Sequence, residues 1–442
     1  MILEELRQEI AILQIEQYDL SRYMKVRRTA AAVKQIVSRA RPTKRTKITL
    51  ILSTGLRVLG LRARYAVLFT SALLNLPKAF YDRYWYLKTR SKLRKLKSYG
   101  LRVVVIAGSY GKTSVKHYAS QILAGKNVVS TPNSYNTVLG ISRVVDLELD
   151  SRTDVFLCEI GAYGRGDIAK LCRMVQPDLG ILTGITTQHM ARFGSLENTI
   201  EAKFETAEYI QQTGGSLILN VGDENVRARA DKYKTKFTYG SNQSYIATKE
   251  FDYKVGVARG KFRINDKEYL VSLPVLGSSN VMNIAGAVAL SLAIGIEESQ
   301  MIDNLGGITP LPHRMEYSHA YGDLQVIDNS YSSNEKSFEE SVAFLGKQRT
   351  RTRVLVTPGI VELGEKTRTA HLRLGEYLVG KVDLLILVGE SDRTTYISEG
   401  VGSRIKIVKV DETLDFIGEV SHRKFKKRPL VLIENDVTAN YS

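Results

Sequence analysis

Between Val103 and Ser114 the chain runs Val-Val-Val-Ile-Ala-Gly-Ser-Tyr-Gly-Lys-Thr-Ser: an apolar strand, a glycine turn, and Lys-Thr at the start of a helix. A strand with no polar face is one that is buried on both sides, as strands of α/β sheets are. Gly108 and Gly111 permit the backbone angles that aim successive N–H groups at an anion, with Ser109 between them and Ser114 just beyond. Lys112 adds a point charge, and the helix opening near Thr113 adds its dipole. The Thr113 hydroxyl is placed to meet a magnesium ion. The common nucleotide loop is G-x-x-x-x-G-K-[ST], and Ile106 stands at its first glycine, so only the shorter G-x-x-G-K-T is present. A purely structural turn is the alternative; the strand before and Lys-Thr after favour nucleotide binding.

Charge separates the chain into two parts. Residues 1–100 hold 22 Lys and Arg against 6 Asp and Glu, a net of +16, and the remainder carries about +1. From Arg22 to Lys97 the only acid is Asp82, so this segment calls for an anionic neighbour or for water. Before it, Leu3, Leu6, Ile10, Leu13 and Leu20 form one seam of an amphipathic helix over Met1 to Tyr23, which is not a signal peptide. Two apolar stretches follow, Ile48 to Leu61 and Tyr65 to Pro77, and neither reaches the roughly 18 to 20 uninterrupted residues of a spanning helix. They read either as short helices packed on the protein or a partner, or as an interfacial element. In the second reading cations over residues 22–97 meet an anionic membrane surface, with Tyr81, Tyr84, Trp85 and Tyr86 at the boundary. The run Lys88 to Lys97 reads as a solvated helix. Nucleic acid is disfavoured, since no groove-reading or base-stacking module accompanies the cations. Cys158 and Cys172 have no paired spacing for zinc or a disulfide framework, which suits a reducing cytoplasm, on this reading at the inner face of the membrane if the basic segment engages it.

Beyond the glycine loop strands and helices alternate. Val155 to Ile160, Leu179 to Ile185 and Ser216 to Asn220 read as buried strands. Glu159 sits at a strand's carboxyl end, where open α/β sheets place ligands, and is a magnesium-ligand candidate; capping the next helix is its alternative role. His189 follows the second strand and by itself is as well explained structurally.

The run Thr131-Pro-Asn-Ser-Tyr-Asn-Thr-Val-Leu-Gly140 comes first, then Glu159-Ile-Gly-Ala162 and Gln176-Pro-Asp-Leu-Gly-Ile-Leu-Thr183. His189, Phe193-Gly-Ser-Leu-Glu-Asn198 and Glu201-Ala-Lys-Phe-Glu205 complete the series. In this order and spacing the motifs closely resemble the central domain of the Mur ligases. The resemblance implies an ATP-dependent ligase that joins a carboxylate acceptor, of which a UDP-muramoyl peptide is one, to an amino acid or dipeptide through an acyl phosphate. Carried over residue by residue, it puts Lys112 on the phosphates, Thr113 and Glu159 on the nucleotide magnesium, and His189 on a second metal. Lys203 matches a lysine that several members carry as a carbamate, able to help hold magnesium. Leu276-Gly-Ser-Ser-Asn-Val-Met-Asn283 resembles the family's Gly-x-His-Asn-x-x-Asn element, which implies nucleotide contacts for Asn280 and Asn283; Ser279 replaces the histidine, and helix capping is the plain alternative.

The C-terminal part reads as a second, Rossmann-like α/β domain. Its strands are expected at Leu324 to Asp328, Arg353 to Thr357, Leu384 to Val388, Arg404 to Val410 and Leu430 to Ile433. By resemblance Arg314 reaches phosphate and Asp328 the ribose. The segment Asn329-Ser-Tyr-Ser-Ser-Asn334-Glu335 departs from the family's Asp-Thr-Tyr-Asn-Ala-Asn-Pro, while Glu362-Leu-Gly-Glu365, His371 and Glu434-Asn-Asp436 resemble it; a structural and a catalytic role for His371 both remain open. The expected organisation is a basic helical region over 1–98, a phosphate-loop ATPase domain over 99–310 and a ligase domain over 311–442. No motif of the family's UDP-gripping N-terminal domain is found. A folate-type polyglutamate ligase and a membrane-bound nucleotide scaffold stay open as alternatives.

Overall fold

The computed structural model of the protein describes residues 6, 9–10, 44–58, 62–132, 135–162, 164–186, 195–318, 321, 323–331, 335–361, 363 and 366–435. The amphipathic seam over Met1 to Tyr23 lies outside the described residues except for Leu6, Glu9 and Ile10, which are helical and buried. His189, Phe193, Gly194, Glu362, Glu365 and Asp436 also fall outside them.

The chain divides into two units, Met1–Lys88 and Thr89–Ser442. In the first, α1 (Lys44–Val58) precedes α2 (Ala63–Lys97), whose final turns belong to the second unit. The two apolar stretches are therefore helical, but the second is no separate short helix: α2 runs 35 residues, through position 77 and into the basic run. The Ser53 hydroxyl donates to the Ala66 carbonyl at 3.5 Å. Ile51, Phe69, Phe80, Tyr81 and Tyr84 are exposed. Among the described residues no helix is long and apolar enough to cross a membrane.

The last turns of α2 differ from the expected solvated helix. Thr89, Leu93 and Leu96 are buried, Lys92 Nζ donates to the Asp146 carbonyl at 3.0 Å, and Lys97 Nζ meets Asp178 at 2.8 Å. The spacing of leucines at positions 93 and 96 supplies the apolar stripe, and the lysines reach past it to fixed acceptors.

The first sheet is formed by β1 (Arg102–Ala107), β2 (Val128–Ser130), β3 (Val155–Glu159), β4 (Leu179–Leu182), β5 (Ser216–Asn220), β6 (Phe237–Tyr239), β7 (Ile246–Lys254), β8 (Val257–Ile264) and β9 (Lys267–Leu273). Their spatial order is β2-β3-β1-β4-β5-β6-β7-β8-β9, parallel up to β7 and antiparallel from β7 to β9. Interleaved helices are α3 (Lys112–Ile122), α4 (Val138–Glu148), α5 (Asp167–Val175), α6 (Leu196–Thr213), α7 (Glu224–Ala230), α8 (Ser278–Ile294) and α9 (Glu298–Leu305). Val104 and Ile106 of β1, Val115 and Tyr118 of α3, and Ile284 and Val288 of α8 share one core. Each fully buried aliphatic side chain there contributes roughly 1.5–3 kcal/mol over its exposed state. β1 occupies an interior position, so the turn after Ala107 is held from both sides.

The second sheet comprises β10 (Glu316–Ser318), β11 (Gln325–Asn329), β12 (Thr352–Thr357), β13 (Leu384–Val388), β14 (Lys406–Val410) and β15 (Pro429–Glu434) in the order β10-β11-β15-β12-β13-β14. It is parallel except for the edge strand β10. Helices α10 (Glu335–Lys347), α11 (Thr367–Leu378), α12 (Asp392–Val401) and α13 (Phe416–Ser421) accompany it. All five expected strands are present; the fourth starts at Lys406 instead of Arg404, because Arg404 turns back onto carbonyls at the end of α12. The mixed α/β architecture of two sheets agrees with the expected fold class.

Candidate active site

The turn after β1 is pressed against the end of β4. The Ser109 N–H donates to the Gly184 carbonyl at 2.6 Å, and the Thr183 hydroxyl donates to the carbonyls of Ala107 at 3.2 Å and Tyr110 at 2.5 Å. A Cβ on Gly108 would lie 2.1 Å from Thr183 Oγ1. One on Gly111, where φ is +80°, would lie 2.6 Å from Asn283 Oδ1. Both glycines are thus required by their backbone angles, φ being +149° at Gly108, and Gly108 also by its close approach to Thr183 and the Gly184 backbone. Tyr110 donates its hydroxyl to Asp223 at 2.8 Å, and Asp223 caps α7 through the Val226 N–H. The buried Ser109 Oγ has no hydrogen-bond partner among the described residues. A buried hydroxyl beside a turn of N–H groups at a helix start fits a phosphate oxygen.

Lys112 opens α3, and its ammonium donates to the Ser109 carbonyl at 3.3 Å. Burial pushes its pKa down against the pull of Glu159. Thr113 donates to Glu159 Oε2 at 3.0 Å, and Lys116 Nζ reaches the same oxygen at 3.0 Å and the Thr131 carbonyl at 2.6 Å. Thr131 in turn accepts the Glu159 N–H. Burial alone would raise the Glu159 carboxyl; Lys112 and Lys116, with hydrogen bonds from Lys116 and Thr113, more than offset it and hold the pKa below the usual value. Glu159 therefore sits charged beside the Thr113 hydroxyl, a hard oxygen pair that suits magnesium. It does not cap a helix, since α5 begins only at Asp167 after Gly166.

Lys203 lies on the buried side of α6, whose start is capped by Ser195. Burial, and then Lys112, push its pKa down to about 7, while Asp167, Glu205 and Glu159 pull the other way. Glu205, in the same motif, accepts N–H bonds from Gly166 and Ala169 and fixes the start of α5. Lys112, Glu159 and Lys203 thus share one electrostatic environment.

Neither asparagine of α8 is its cap, which is Gly277. Asn280 is engaged by the protein itself: it donates to the carbonyls of Leu276 and Arg314 at 3.0 Å and accepts from the Tyr118 hydroxyl at 3.2 Å. It ties α3 and α8 to the linker, while Asn283, one turn on, faces the glycine loop. Ser279 donates to Glu340 of α10. The Arg314 guanidinium lies 4.1 Å from the Tyr331 ring centroid. Buried Asp328 meets His313 Nδ1 at 2.8 Å, and its other oxygen accepts the Ser330 N–H.

His371 is buried. Its Nδ1 donates to the Thr367 carbonyl at 2.6 Å and its Nε2 accepts the Ile360 N–H at 3.0 Å, an arrangement open only to the neutral ring. Burial lowers its pKa from the ordinary 6.5. The geometry assigns His371 to holding the turn after β12. His371→Ala is expected to destabilise the protein by about 2 kcal/mol, from an orphaned N–H and a lost side chain. The depressed pKa means wild-type stability falls as pH drops below the unfolded value near 6.5, and the variant should lack that component. Denaturant unfolding between pH 5 and 8 measures both.

Lys116, Tyr110, Thr183 and Asp223 were not anticipated from sequence. Lys116 had one available signal, its place one helical turn after Lys112 on the same face; the others depend on contacts between distant segments.

Residues 106–291 match the profile of the Mur ligase middle domain, and residues 313–432 that of the Mur ligase glutamate ligase domain. The UDP-N-acetylmuramoyl-tripeptide–D-alanyl-D-alanine ligase of Bacillus subtilis is 28% identical over 69% of this chain and 66% of its own length. The ligase of the same name from Mycobacterium tuberculosis strain H37Rv is 30% identical over 66% and 59%. The chain thus spans somewhat less than two thirds of these relatives. Among solved structures, MurF from Acinetobacter baumannii has a TM-score of 0.70 at 22% identity, covering 80% of this chain and 78% of that one. MurF ligase from Thermotoga maritima in complex with ADP has a TM-score of 0.68 at 22%, covering 80% of each. At these identities the structural likeness establishes the fold.

Proposed function

The chain belongs to the Mur ligase family, and from that premise we propose that it is an ATP-dependent, ADP-forming ligase that adds a dipeptide or amino acid to a cell-wall precursor. The observation that carries this reading is the joining of a phosphate loop to a charged Glu159 and a buried Lys203 whose pKa is pushed down to about 7. The names of the relatives favour a UDP-muramoyl peptide as acceptor and D-alanyl-D-alanine as amine, and the ADP complex of the Thermotoga protein favours ATP as the donor.

In the proposed reaction a carboxylate oxygen of the acceptor attacks the γ-phosphorus of ATP. The bond from that phosphorus to the bridging oxygen breaks and ADP leaves. The amine then attacks the acyl carbon of the acyl phosphate, a C–N bond forms, phosphate departs and the nitrogen loses a proton. The loop N–H groups and Ser109 hold the phosphates, with Ser114 behind them in α3, and Lys112 screens the charge that two approaching anions generate. Thr113 and Glu159 would hold a magnesium ion, which supplies charge neutralisation at the phosphates. Asn283, Arg314 and Asp328 are proposed nucleotide contacts, with Asn280 setting the position of the linker that carries Arg314. Lys203, as an unprotonated amine, takes up carbon dioxide to form a carbamate and releases a proton, becoming an anion able to join a metal site. His189 is kept as the proposed ligand of a second ion. A donor of this kind belongs in the cytoplasm. We assign residues 99–310 and 311–442 to the ATPase and ligase domains. The basic N-terminal region, with Ile51, Phe69 and Phe80 exposed, is the part that would meet an anionic membrane surface or a partner.

Phosphate release from ATP should require both a UDP-muramoyl peptide and an amine when amino acids and dipeptides are screened together. Nucleotide binding without acceptor-stimulated turnover would instead identify a scaffold, and stimulation by a folate acceptor would identify another branch of ligases.

A further inference from the structure

The C-terminal domain, residues 311–442, is electrically balanced, with 19 Lys and Arg against 19 Asp and Glu. Nine of those cations nevertheless fall in two short segments that contain no acid, Lys347 to Arg353 and Arg423 to Arg428. The two segments are distant in sequence and adjacent in space, because Thr352 at the start of β12 pairs with Pro429 at the start of β15. Together they line a cleft of about 470 Å³ whose walls include Arg349, Arg351, Arg353, Lys426 and Lys427, with Asp383 as its one acid. This cleft is at the amino edge of the sheet. Asp328 and Glu434 mark the opposite, carboxyl edge, one strand length or about 17 Å away.

Part of this charge has a structural use. Arg353 grips Asp383 through two nitrogens, at 2.9 and 2.6 Å, and donates to the carbonyls of Gly346 and Gly380 near the ends of α10 and α11. Lys427 donates to the Arg349 carbonyl at 2.7 Å. These contacts consume the single acid and account for two cations. Arg349, Arg351 and Lys426 make no side-chain hydrogen bond or ion pair among the described residues, and Arg351 is half-buried. Cations held together in a concavity with their acid already engaged repel one another, and an anion of more than one charge relieves that repulsion. Paired guanidinium forks match the oxygens of a phosphoryl group.

We propose that this cleft is a binding site for a phosphate group, separate from the phosphate loop, with Arg349, Arg351 and Lys426 as its ligands. A soluble phosphate compound and a phospholipid headgroup present the same chemistry, so the test carries both. Titration calorimetry with inorganic pyrophosphate is done on the full chain carrying Lys112→Ala, which weakens the phosphate loop, with and without R349Q, R351Q and K426Q. The three changes should weaken binding at least tenfold, and Lys406→Gln with Lys409→Gln, on β14, should leave it unchanged. Equal affinity in the cleft variant, or an equal loss in the β14 variant, overturns the proposal. Cosedimentation with vesicles of phosphatidylglycerol in phosphatidylcholine then distinguishes the sources: a parallel loss identifies a headgroup, and retained vesicle binding beside lost pyrophosphate binding identifies a soluble ligand. The single change Arg351→Lys keeps the charge and should retain part of the affinity, which guards against misfolding of the triple variant.

Discussion

Lys116→Met is expected to destabilise the protein by about 3 kcal/mol at neutral pH, because it strands the buried Glu159 carboxylate. Lys116 and Glu159 are both buried, at 3.0 Å, and the lysine also satisfies the Thr131 carbonyl. Methionine fills similar space without the charge. Lys112 remains nearby and limits the loss, but its own ammonium is already held against burial. The pH dependence identifies the cause. In wild type the Glu159 pKa is depressed, so its contribution is present above the unfolded value near 4.5 and is lost as pH falls through the folded value. The variant loses both the charge and the hydrogen bond of Lys116, so burial is less fully offset and the carboxyl pKa moves up; the deficit should be greatest at neutral pH and shrink on acidification. Urea denaturation of both proteins from pH 4 to 8 measures this; a deficit that does not change with pH would show that lost packing, and not the stranded charge, is responsible.

The phosphate loop could be read from sequence because its constraints are local. Two glycines are needed by backbone geometry, and an apolar strand and a helix start flank them. Glu159 was legible for a related reason, as an acid at the end of an apolar run. The extension from β7 to β9 was not, because its strands lie half-exposed and carry Lys249, Glu250, Asp252, Lys254 and Lys261 where a buried strand would show unbroken apolar residues. The basic end of α2 misled in the opposite direction: its charges suggested solvent, and the fold uses Lys92 and Lys97 as fixed donors around two buried leucines. Asn280 shows how a resemblance can locate a residue without describing its contacts. Its motif brings it to the site, and its side chain is held by Leu276, Arg314 and Tyr118. His371 could be resolved only once both ring nitrogens had partners.

Lys203→Met should lower amine-dependent ADP formation by about 10²- to 10³-fold, the scale of removing one preorganised electrostatic group, yet leave the fold more stable at neutral pH. The two effects have one cause. Lys203 is buried with its pKa pushed down to about 7 from 10.5, so the unfolded chain binds a proton that the folded chain gives up between those values. Wild-type stability therefore rises with pH from about 7 to 10.5, and a neutral methionine avoids the penalty below that range. A lysine retained only for structure would show the reverse, a loss of stability on replacement. Carbamate formation requires the unprotonated amine, so turnover in bicarbonate-free buffer should fall, recover on adding bicarbonate, and recover less readily as pH drops below about 7. The variant should ignore bicarbonate at every pH. Opposite signs for Lys116→Met and Lys203→Met in the same unfolding experiment would separate two buried lysines beside Glu159: one whose charge the fold requires, and one whose charge the chemistry requires removed.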